Sequence, residues 1–525
     1  MTYGTLMEAN ILTVIAILVA GYTLLSDERR NDLLLRIGWI DKLLLLTACM
    51  IVLYVIFIPV LSYFNLVIPL PWHWGFNANL TIFSVILLVL LYLVFKLLHK
   101  RLPHSRIQTW NATSLQLLRQ QKYKELSYLF DNYHRQFCSI HKDKWYDRLR
   151  LKLPNVYRDE LDSLVKGEPK KFSPATKWAI KAIDLLLPTR KKLKGSSTDG
   201  LQNLLHSKSF VQYYALHNPQ ACLELTLLPS NISDKFSDLF LQSLMLDTTS
   251  TFYREVRDTQ QISINSGYYL PPANPLLYFY LSDLSIASAQ QIWKPIGDYA
   301  ATYLAKQPNG TENHYNQPYH WSYEDEERWV CPIYTTLHFF DVMVQRAIYT
   351  DYSDHMWLRY YYTLLKHILE KYQPSTYISQ VSSIPTRFDY LVDEIFNNCI
   401  SWLEAAIDKN VTLIDKGHQL WPIPISFSAS TLGELIRLLL QAENFFDSRC
   451  TQQLSKILIL SNKLEEAGLS RLNKEIATEC LPSWGLENTV KYRERLRYCF
   501  NEIDSHETSL ASTLCNEIKQ FVGTR

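Results

Sequence analysis

The densest group of chemically capable side chains lies between Asn313 and Tyr334. Two histidines, His314 and His320, stand there among four consecutive acids and several aromatic residues. Two imidazoles and a carboxylate form a common set of ligands for a transition metal. The same residues also fit an acidic, aromatic surface for a protein partner. A third interpretation is the start of a helix, where acidic side chains interact favourably with the helix dipole. We predict no bound metal or cofactor. The candidate partner-binding residues are Tyr319, Trp321, Glu324, Asp325, Glu326, Glu327 and Trp329.

Three other arrangements are weaker candidates for chemistry. Cys331 follows His320 closely enough to suggest a thiol nucleophile, but a buried structural cysteine is the more common fate of such a residue. Arg359 and His367 share one predicted helix, at a longer spacing than arginine–histidine ribonuclease pairs use. Glu168-Pro169-Lys170 imitates the end of a nuclease site without the flanking strands that would aim its carboxylate at a metal. We therefore predict no catalytic residue.

Composition removes several functional classes. Phosphate-binding loops need glycine, and the chain has 15 glycines without a G-x-x-x-x-G-K or G-x-G-x-x-G motif. Its nine cysteines are dispersed without a C-x-x-C pair, which indicates a reducing compartment and neither a disulfide framework nor a zinc site. The residues favour a non-enzymatic protein and leave open an enzyme with an unrecognised site.

Basic residues concentrate in the segment 100–194. It carries 22 Lys and Arg against 9 Asp and Glu, whereas residues 195–525 carry 26 against 37. Such a segment next to a membrane can bind anionic lipid, and Trp145, Tyr146 and Tyr157 also allow stacking on a nucleic acid. The commonest fate of such charges, however, is a solvated helix face. The candidate lipid- or polyanion-binding residues are Lys170, Lys171, Arg190, Lys191, Lys192 and Lys194.

The elements that position these groups begin with apolar segments. Residues 43–66 carry no charge, and residues 80–98 carry only Lys96, near their end. A bilayer core needs roughly 20 apolar helical residues, because lipid offers unpaired backbone groups no partner. A third segment, 8–25, is shorter in apolar residues but also a candidate. The sequence predicts three spans, or two if this first segment does not cross.

Lys and Arg residues predict the orientation of the spans, since these residues stay on the cytoplasmic side in short loops. They fill the segment 29–42 and follow the last span, but are absent from 1–28 and from 67–79. We therefore predict an integral membrane protein, in a bacterial inner membrane, with its N-terminus outside and a cytoplasmic C-terminal region. Between the first two spans, Arg29, Asp32 and Arg36 share a helical face. This pattern fits either a short interfacial helix or an early start of the second span.

The remaining chain has mostly helical periodicity. Thr431 and Glu434 have the spacing of a capping box, which predicts a helix start there. Residues 261–264 are the best strand signal, and the glycine-containing segment 195–200 resembles a flexible joint. The clearest helical segments are 358–372, 390–407 and 451–467, the last ended by Gly468.

The fold class predicted is thus mainly α, with N-terminal transmembrane helices and a large helical cytoplasmic region. The predicted parts are a transmembrane module at 1–99, a basic juxtamembrane module at 100–194 and an acidic helical domain at 201–525. The favoured function is a membrane-anchored scaffold or sensor that recruits a protein partner, another protein or a second copy, through its acidic domain. The alternative is a membrane-acting effector, a pore or depolarising protein gated by that domain, a layout shared with effectors of bacterial defence.

Overall fold

The computed structural model of the protein describes residues 23, 26–66, 78–142, 191–263, 267–319, 326–354, 356–373, 386–416, 419–481, 489–504 and 512–523. These residues are mainly helical, as the sequence predicts, and their strands form only two short antiparallel pairs. The chain divides into two compact units, Met1–Tyr214 with Glu224–Ser233 and Ala215–Leu223 with Asp234–Arg525. The division at 99 and 194 into three functional parts stays a prediction.

The first unit begins with a short helix that is separate from the first long one. Helix α1 (Asp27–Arg36) ends before Gly38, and helix α2 (Trp39–Tyr63) starts directly after it. The Gly38 N–H donates to the Asp41 carboxylate at 2.7 Å. Of the two arrangements that the sequence left open, the structure has the separate helix. The helices are α1 Asp27–Arg36, α2 Trp39–Tyr63, α3 Ala78–Leu98, α4 Ile107–Arg119, α5 Tyr123–His141 and α6 Lys191–Leu205, with a 3₁₀ turn at His104–Arg106.

Three helices in the described residues are long and apolar enough to cross a membrane: Trp39–Ile58, Leu80–Leu98 and Ile423–Gln441. Only 6% of the apolar window is buried in each of the first two, against 67% in the third. Burial in the second unit explains the apolar character of Ile423–Gln441, whereas α2 and α3 expose theirs. The predicted segment 8–25 lies outside the described residues except for Thr23.

The prediction of a flexible joint at 195–200 is wrong, because this segment lies inside helix α6. Its Ser197 is fully buried, and the Asn111 side chain on α4 donates to the Ser196 carbonyl at 2.8 Å. A Cβ at Gly200 would lie 2.1 Å from Asn111 Oδ1. Gly200 therefore serves the close approach of α4 and α6 and does not loosen the chain.

Three further helices contribute residues to both units: α7 Lys208–His217, α8 Pro219–Thr226 and α9 Ser230–Leu246. The second unit continues with α10 Thr251–Asp258, β1 Ile262–Ser263, β2 Gly267–Tyr268, α11 Pro275–Leu281, α12 Leu284–Ala289, α13 Trp293–Ala305, α14 Pro332–Tyr349, α15 Arg359–Lys371, α16 Arg387–Asp408, β3 Ile414–Lys416, β4 Gln419–Trp421, α17 Ile423–Gln441, α18 Asp447–Glu466, α19 Ser470–Cys480, α20 Thr489–Asp504 and α21 Thr513–Val522. Short 3₁₀ turns lie at Gly310–Glu312, His314–Asn316, Glu327–Val330 and Met356–Leu358.

Helices α15, α16 and α18 confirm the segments predicted from periodicity, and β1 lies within the predicted strand. The predicted helix start at Thr431 is wrong. Helix α17 begins after Pro422, with Pro424 in its first turn, so Thr431 and Glu434 lie in its middle. Proline lacks the N–H that a first turn leaves unpaired, so it fits that position and begins the helix well before the capping-box pattern.

The core of the second unit contains a buried carboxylate on α14. Asp341 accepts hydrogen bonds from the Tyr268 hydroxyl and the Trp402 indole N–H, both at 2.6 Å. Burial raises the pKa of Asp341 to about 6, although the two hydrogen bonds oppose the rise. The Asp341 side chain thus joins β2, α14 and α16, and each of its two carboxylate oxygens has a hydrogen-bond donor.

Candidate functional site: the junction at the ends of the apolar helices

Two charged residues of the polar face of α1 are buried, together with Leu33 and Leu35. The Asp32 and Arg36 side chains are 4% and 2% exposed, and they form an ion pair across one helical turn. By contrast, Arg29 on the same helix is exposed. An ion pair removed from water is stable only when further hydrogen bonds satisfy both groups. The surroundings of Arg36 and Asp32 supply those bonds.

Arg36 connects α1 with the end of α3. Its Nη1 donates to the carbonyls of Lys96 and Leu97, each at 3.1 Å. The last carbonyls of a helix have no partner within the helix, and they lie at the negative end of its dipole. A buried guanidinium at this position therefore caps α3 electrostatically as well as through hydrogen bonds.

Helix α5 closes the junction through Tyr133. Arg36 Nε donates to the Tyr133 hydroxyl at 3.0 Å, and that hydroxyl donates to Asp32. Burial, followed by the charge of Asp32, raises the pKa of Tyr133 above its ordinary value. The phenol therefore stays protonated and keeps its role as a donor. Asn132 also reaches Asp32, at 3.4 Å. The group Asp32, Arg36 and Tyr133 is called the junction below.

A second polar group joins α2 with α3 beside the junction. Lys96 Nζ lies 2.9 Å from the Asp41 carboxylate, which also accepts a hydrogen bond from Tyr92. Arg106 Nη2 donates to the Ile37 carbonyl at 2.7 Å, between α1 and α2. The ends of the two long apolar helices are thus tied to each other and to the helices that follow them.

The chemistry of this arrangement is positional. Arg36 and Tyr133 direct their donors at Asp32 and at the end of α3, and none of these groups is a free nucleophile or base. Because a guanidinium offers donors in a rigid planar fork, its contacts specify the mutual orientation of α1, α3 and α5. The junction can therefore transmit a movement of α5 to the ends of the apolar helices, or hold the two fixed.

The predicted acidic, aromatic surface lies in the second unit where it is described. Glu326 and Glu327 are exposed, and Glu327 pairs with Arg387 at 2.6 Å. Tyr319 is half-buried and its ring stacks on that of Tyr390. Trp321, Glu324 and Asp325 lie outside the described residues.

Trp329 of the same predicted surface is only 7% exposed and packs edge-on against the rings of Tyr334 and His338. This leaves Trp329 little surface for a partner. Cys331 is buried as predicted, and its sulfur lies 3.2 Å from the Tyr315 hydroxyl.

The predicted basic site is described only at its end. Lys170, Lys171 and Arg190 lie outside the described residues. Lys191, Lys192 and Lys194 belong to the first turn of α6, where Lys194 is half-buried. These three residues are brought together on one helix, and their binding of lipid or polyanion stays a prediction.

Sequence reasoning did not find the junction. It grouped Arg29, Asp32 and Arg36 on one polar face, which is normally the solvated face of an interfacial helix. Tyr133 is 97 residues from Arg36, and nothing local in the sequence links the two. One signal was available: an Asp–Arg pair immediately before a long apolar segment.

Comparison of the chain with protein-family models, with curated proteins and with solved structures gives no match.

Proposed function

We propose that the protein is a membrane-anchored helical scaffold or sensor that recruits a partner on the cytoplasmic side. Helices α2 and α3 are the membrane spans, and the basic residues at 29–42 and 100–106 favour a cytoplasmic position for their joined ends. Residues 67–79 then face the outside, together with the N-terminus if the segment 8–25 also crosses. The location that fits this arrangement is a bacterial inner membrane.

The junction is the observation that carries this proposal. Buried polar groups are costly, and an anchor that served only as a tether would need no such contact. Arg36 instead binds the last carbonyls of α3 and the Tyr133 hydroxyl of α5 at once. The membrane helices and the first cytoplasmic helices therefore form one packed structure. This favours a function in which the cytoplasmic helices hold a defined position at the membrane.

The recruiting surface that we propose is the acidic stretch around Glu326 and Glu327, including Trp321, Glu324 and Asp325. Clustered carboxylates repel one another and favour a cation-rich partner, and flanking aromatic side chains supply contact area. The partner is a basic protein surface, either on another protein or on a second copy of this chain. Changing Glu324, Asp325, Glu326 and Glu327 to their amides should abolish capture of the partner by the full chain at low salt. Undiminished capture would assign recruitment elsewhere.

The basic segment 100–194 offers a second contact, with the anionic headgroups of the bilayer. Each Lys or Arg close to such a surface contributes about 1 kcal/mol, and salt screens the attraction. Replacing Lys170, Lys171, Lys191, Lys192 and Lys194 with Gln should weaken binding to anionic vesicles. If the segment prefers RNA or DNA to vesicles, a nucleic acid becomes the ligand.

A membrane-acting effector is the second candidate function. It is favoured by the apolar side chains that α2 and α3 expose, since a pore of several copies would bury them. Expression of residues 1–110 alone, followed with a dye that reports membrane potential, separates the two functions. A scaffold leaves the potential unchanged, whereas a pore released from its cytoplasmic domain depolarises the cells.

A further inference from the structure

The second unit contains a cleft of about 490 Å³ that none of the predicted sites includes. It lies between the middle of α17, the beginning of α15 and the end of α19. Binding sites for small molecules generally have volumes of about 300–1,000 Å³. The cleft is thus large enough for a metabolite, and its lining indicates which kind.

One face of α17 forms the floor of the cleft. Thr431, Glu434 and Arg437 follow one another at a spacing of three residues, which places them along the same side of the helix. Gly433 permits α19 to approach, because a Cβ there would lie 2.4 Å from the Ile476 carbonyl oxygen. This close approach brings Glu479 of α19 to the edge of the cleft.

Four charged side chains line the cleft, and two of them are paired. Arg437 Nη1 lies 3.7 Å from a Glu479 carboxylate oxygen. Arg359 and Glu434 carry opposite charges, yet within the part of the chain that the structure describes neither side chain has an ion pair or a hydrogen bond. Arg359 and Arg437 act on Glu434 electrostatically, but neither makes a direct contact with its carboxylate. The cleft therefore offers one cationic and one anionic group whose hydrogen-bonding positions are open to a ligand.

The environment of Glu434 shows that its charge is incompletely compensated. Burial, and then the negative charge of Glu479, raises the pKa of Glu434 above its ordinary value, although Arg437 and Arg359 oppose the rise. A positively charged group placed beside Glu434 would supply the missing compensation.

Apolar side chains complete the lining. Leu358 and Tyr362 lie at the start of α15, and Phe427 lies on α17. Tyr362 and Phe427 are half-buried, and both contribute to the wall of the cleft. Aromatic rings with a few fixed polar groups are the usual composition of a site for a small organic molecule.

From these groups we propose that the cleft binds a small zwitterion with an apolar side group, the chemical class of the free aromatic and aliphatic amino acids. The carboxylate of the ligand accepts hydrogen bonds from Arg359, its ammonium group donates to Glu434, and its side group lies against Tyr362 and Phe427. A simple anion would meet the carboxylates of Glu434 and Glu479, and a simple cation would meet two guanidinium groups. Only a ligand with both charges can form a direct contact of opposite charge with Arg359 and with Glu434 at once. The inference is independent of membrane anchoring, because every lining residue belongs to the second unit.

The test is calorimetric titration of the full chain in detergent with L-phenylalanine, L-tyrosine, L-leucine and L-methionine. At least one should bind saturably. Phenethylamine lacks the carboxylate and 3-phenylpropanoate lacks the ammonium group, so each should bind at least about 10-fold more weakly than L-phenylalanine, since a charge-assisted hydrogen bond is lost. Arg359→Gln and Glu434→Gln should each weaken amino-acid binding by a similar factor. Lys366→Gln, an exposed residue of α15 outside the cleft, and Glu404→Gln, which removes a distant surface pair, are the matched controls.

Thermal unfolding of each variant establishes that it is folded. Arg359 is exposed, and the Glu434 carboxylate makes no direct ion pair or hydrogen bond within the described residues, so neither substitution should lower the unfolding temperature. Failure of all four amino acids to bind at about 5 mM would overturn the proposal. Equal binding of either single-charge analogue, or unchanged affinity in both cleft variants, would overturn it as well.

Discussion

Arg36 donates a hydrogen bond from Nε to the Tyr133 hydroxyl at 3.0 Å, although 97 residues separate the two in the chain. The same guanidinium pairs with Asp32 and reaches the Lys96 and Leu97 carbonyls at the end of α3. The buried side chain of Arg36 thus joins three elements of the first unit: α1, the end of α3, and α5. The junction explains how a charged pair is retained away from water, because each member has several partners.

Replacing Arg36 with Gln should destabilise the first unit strongly. The substitution leaves the Asp32 carboxylate buried without its counter-ion, a change that costs about 3–5 kcal/mol in typical proteins. Arg29→Gln, at an exposed residue of the same helix, should cost less than about 0.5 kcal/mol. The stability of each variant is measured in detergent, with cleavage of the segment 78–142 by a protease as the readout of unfolding. Equal resistance of the two variants would mean that the junction does not hold the unit together.

A pair of glycine substitutions distinguishes a packed helix from a joint at 195–200. Gly195→Ala should stabilise the protein by about 0.5–1 kcal/mol, since no atom lies within 4 Å of the added Cβ and Ala favours a helix. Gly200→Ala should destabilise it by about 1–3 kcal/mol, because the new Cβ displaces Asn111. The difference in unfolding temperature between the two variants is the readout. Adding Asn111→Ala to Gly200→Ala should recover part of the lost stability. If Gly195→Ala and Gly200→Ala both leave the stability unchanged, the segment 195–200 is a flexible joint after all.

The pH dependence of stability should change when Asp341 is replaced with Asn. The pKa of Asp341 is raised to about 6 from an ordinary value of 3.8, so between these pH values the folded state binds more protons than the unfolded state. The stability contributed by this group is therefore present at low pH and falls as the pH rises towards 6. Asp341→Asn removes that fall, so its unfolding temperature relative to the wild type should rise between pH 4 and pH 6.5. A constant difference across this range would show that Asp341 titrates normally.

Local pattern accounts for much of the fold. The apolar segments at 43–66 and 80–98 and the periodicity of α15, α16 and α18 depend on neighbouring residues, and each predicts its helix correctly. The predicted start of α17 at Thr431 was wrong because the helix already begins after Pro422, so the capping-box spacing of Thr431 and Glu434 falls in its middle. The joint at 195–200 was wrong because the packing partner of Gly200 is Asn111, on another helix.

The junction and the cleft were harder to predict from the sequence than the helices, because each site depends on residues that are far apart in the chain. The junction needs Tyr133 beside Asp32, and the cleft needs Arg359 beside Glu434. The spacing of Thr431, Glu434 and Arg437 was a signal for the cleft, because charged side chains are rarely found on a largely buried helix. The acidic stretch near Glu326 was visible in sequence, and its partner binding stays a prediction.

The central claim is that α2 and α3 cross a membrane with their joined ends on the cytoplasmic side. Its most direct measurement combines a reporter that is active only in the cytoplasm, fused after Arg106, with labelling of Phe76→Cys by a membrane-impermeant maleimide. The unsubstituted chain is the control for labelling of the native cysteines. We expect an active reporter and labelling of the introduced cysteine in intact cells. An inactive cytoplasmic reporter together with an active exported reporter at Arg106, or labelling at residue 76 only after the cells are opened, would contradict it.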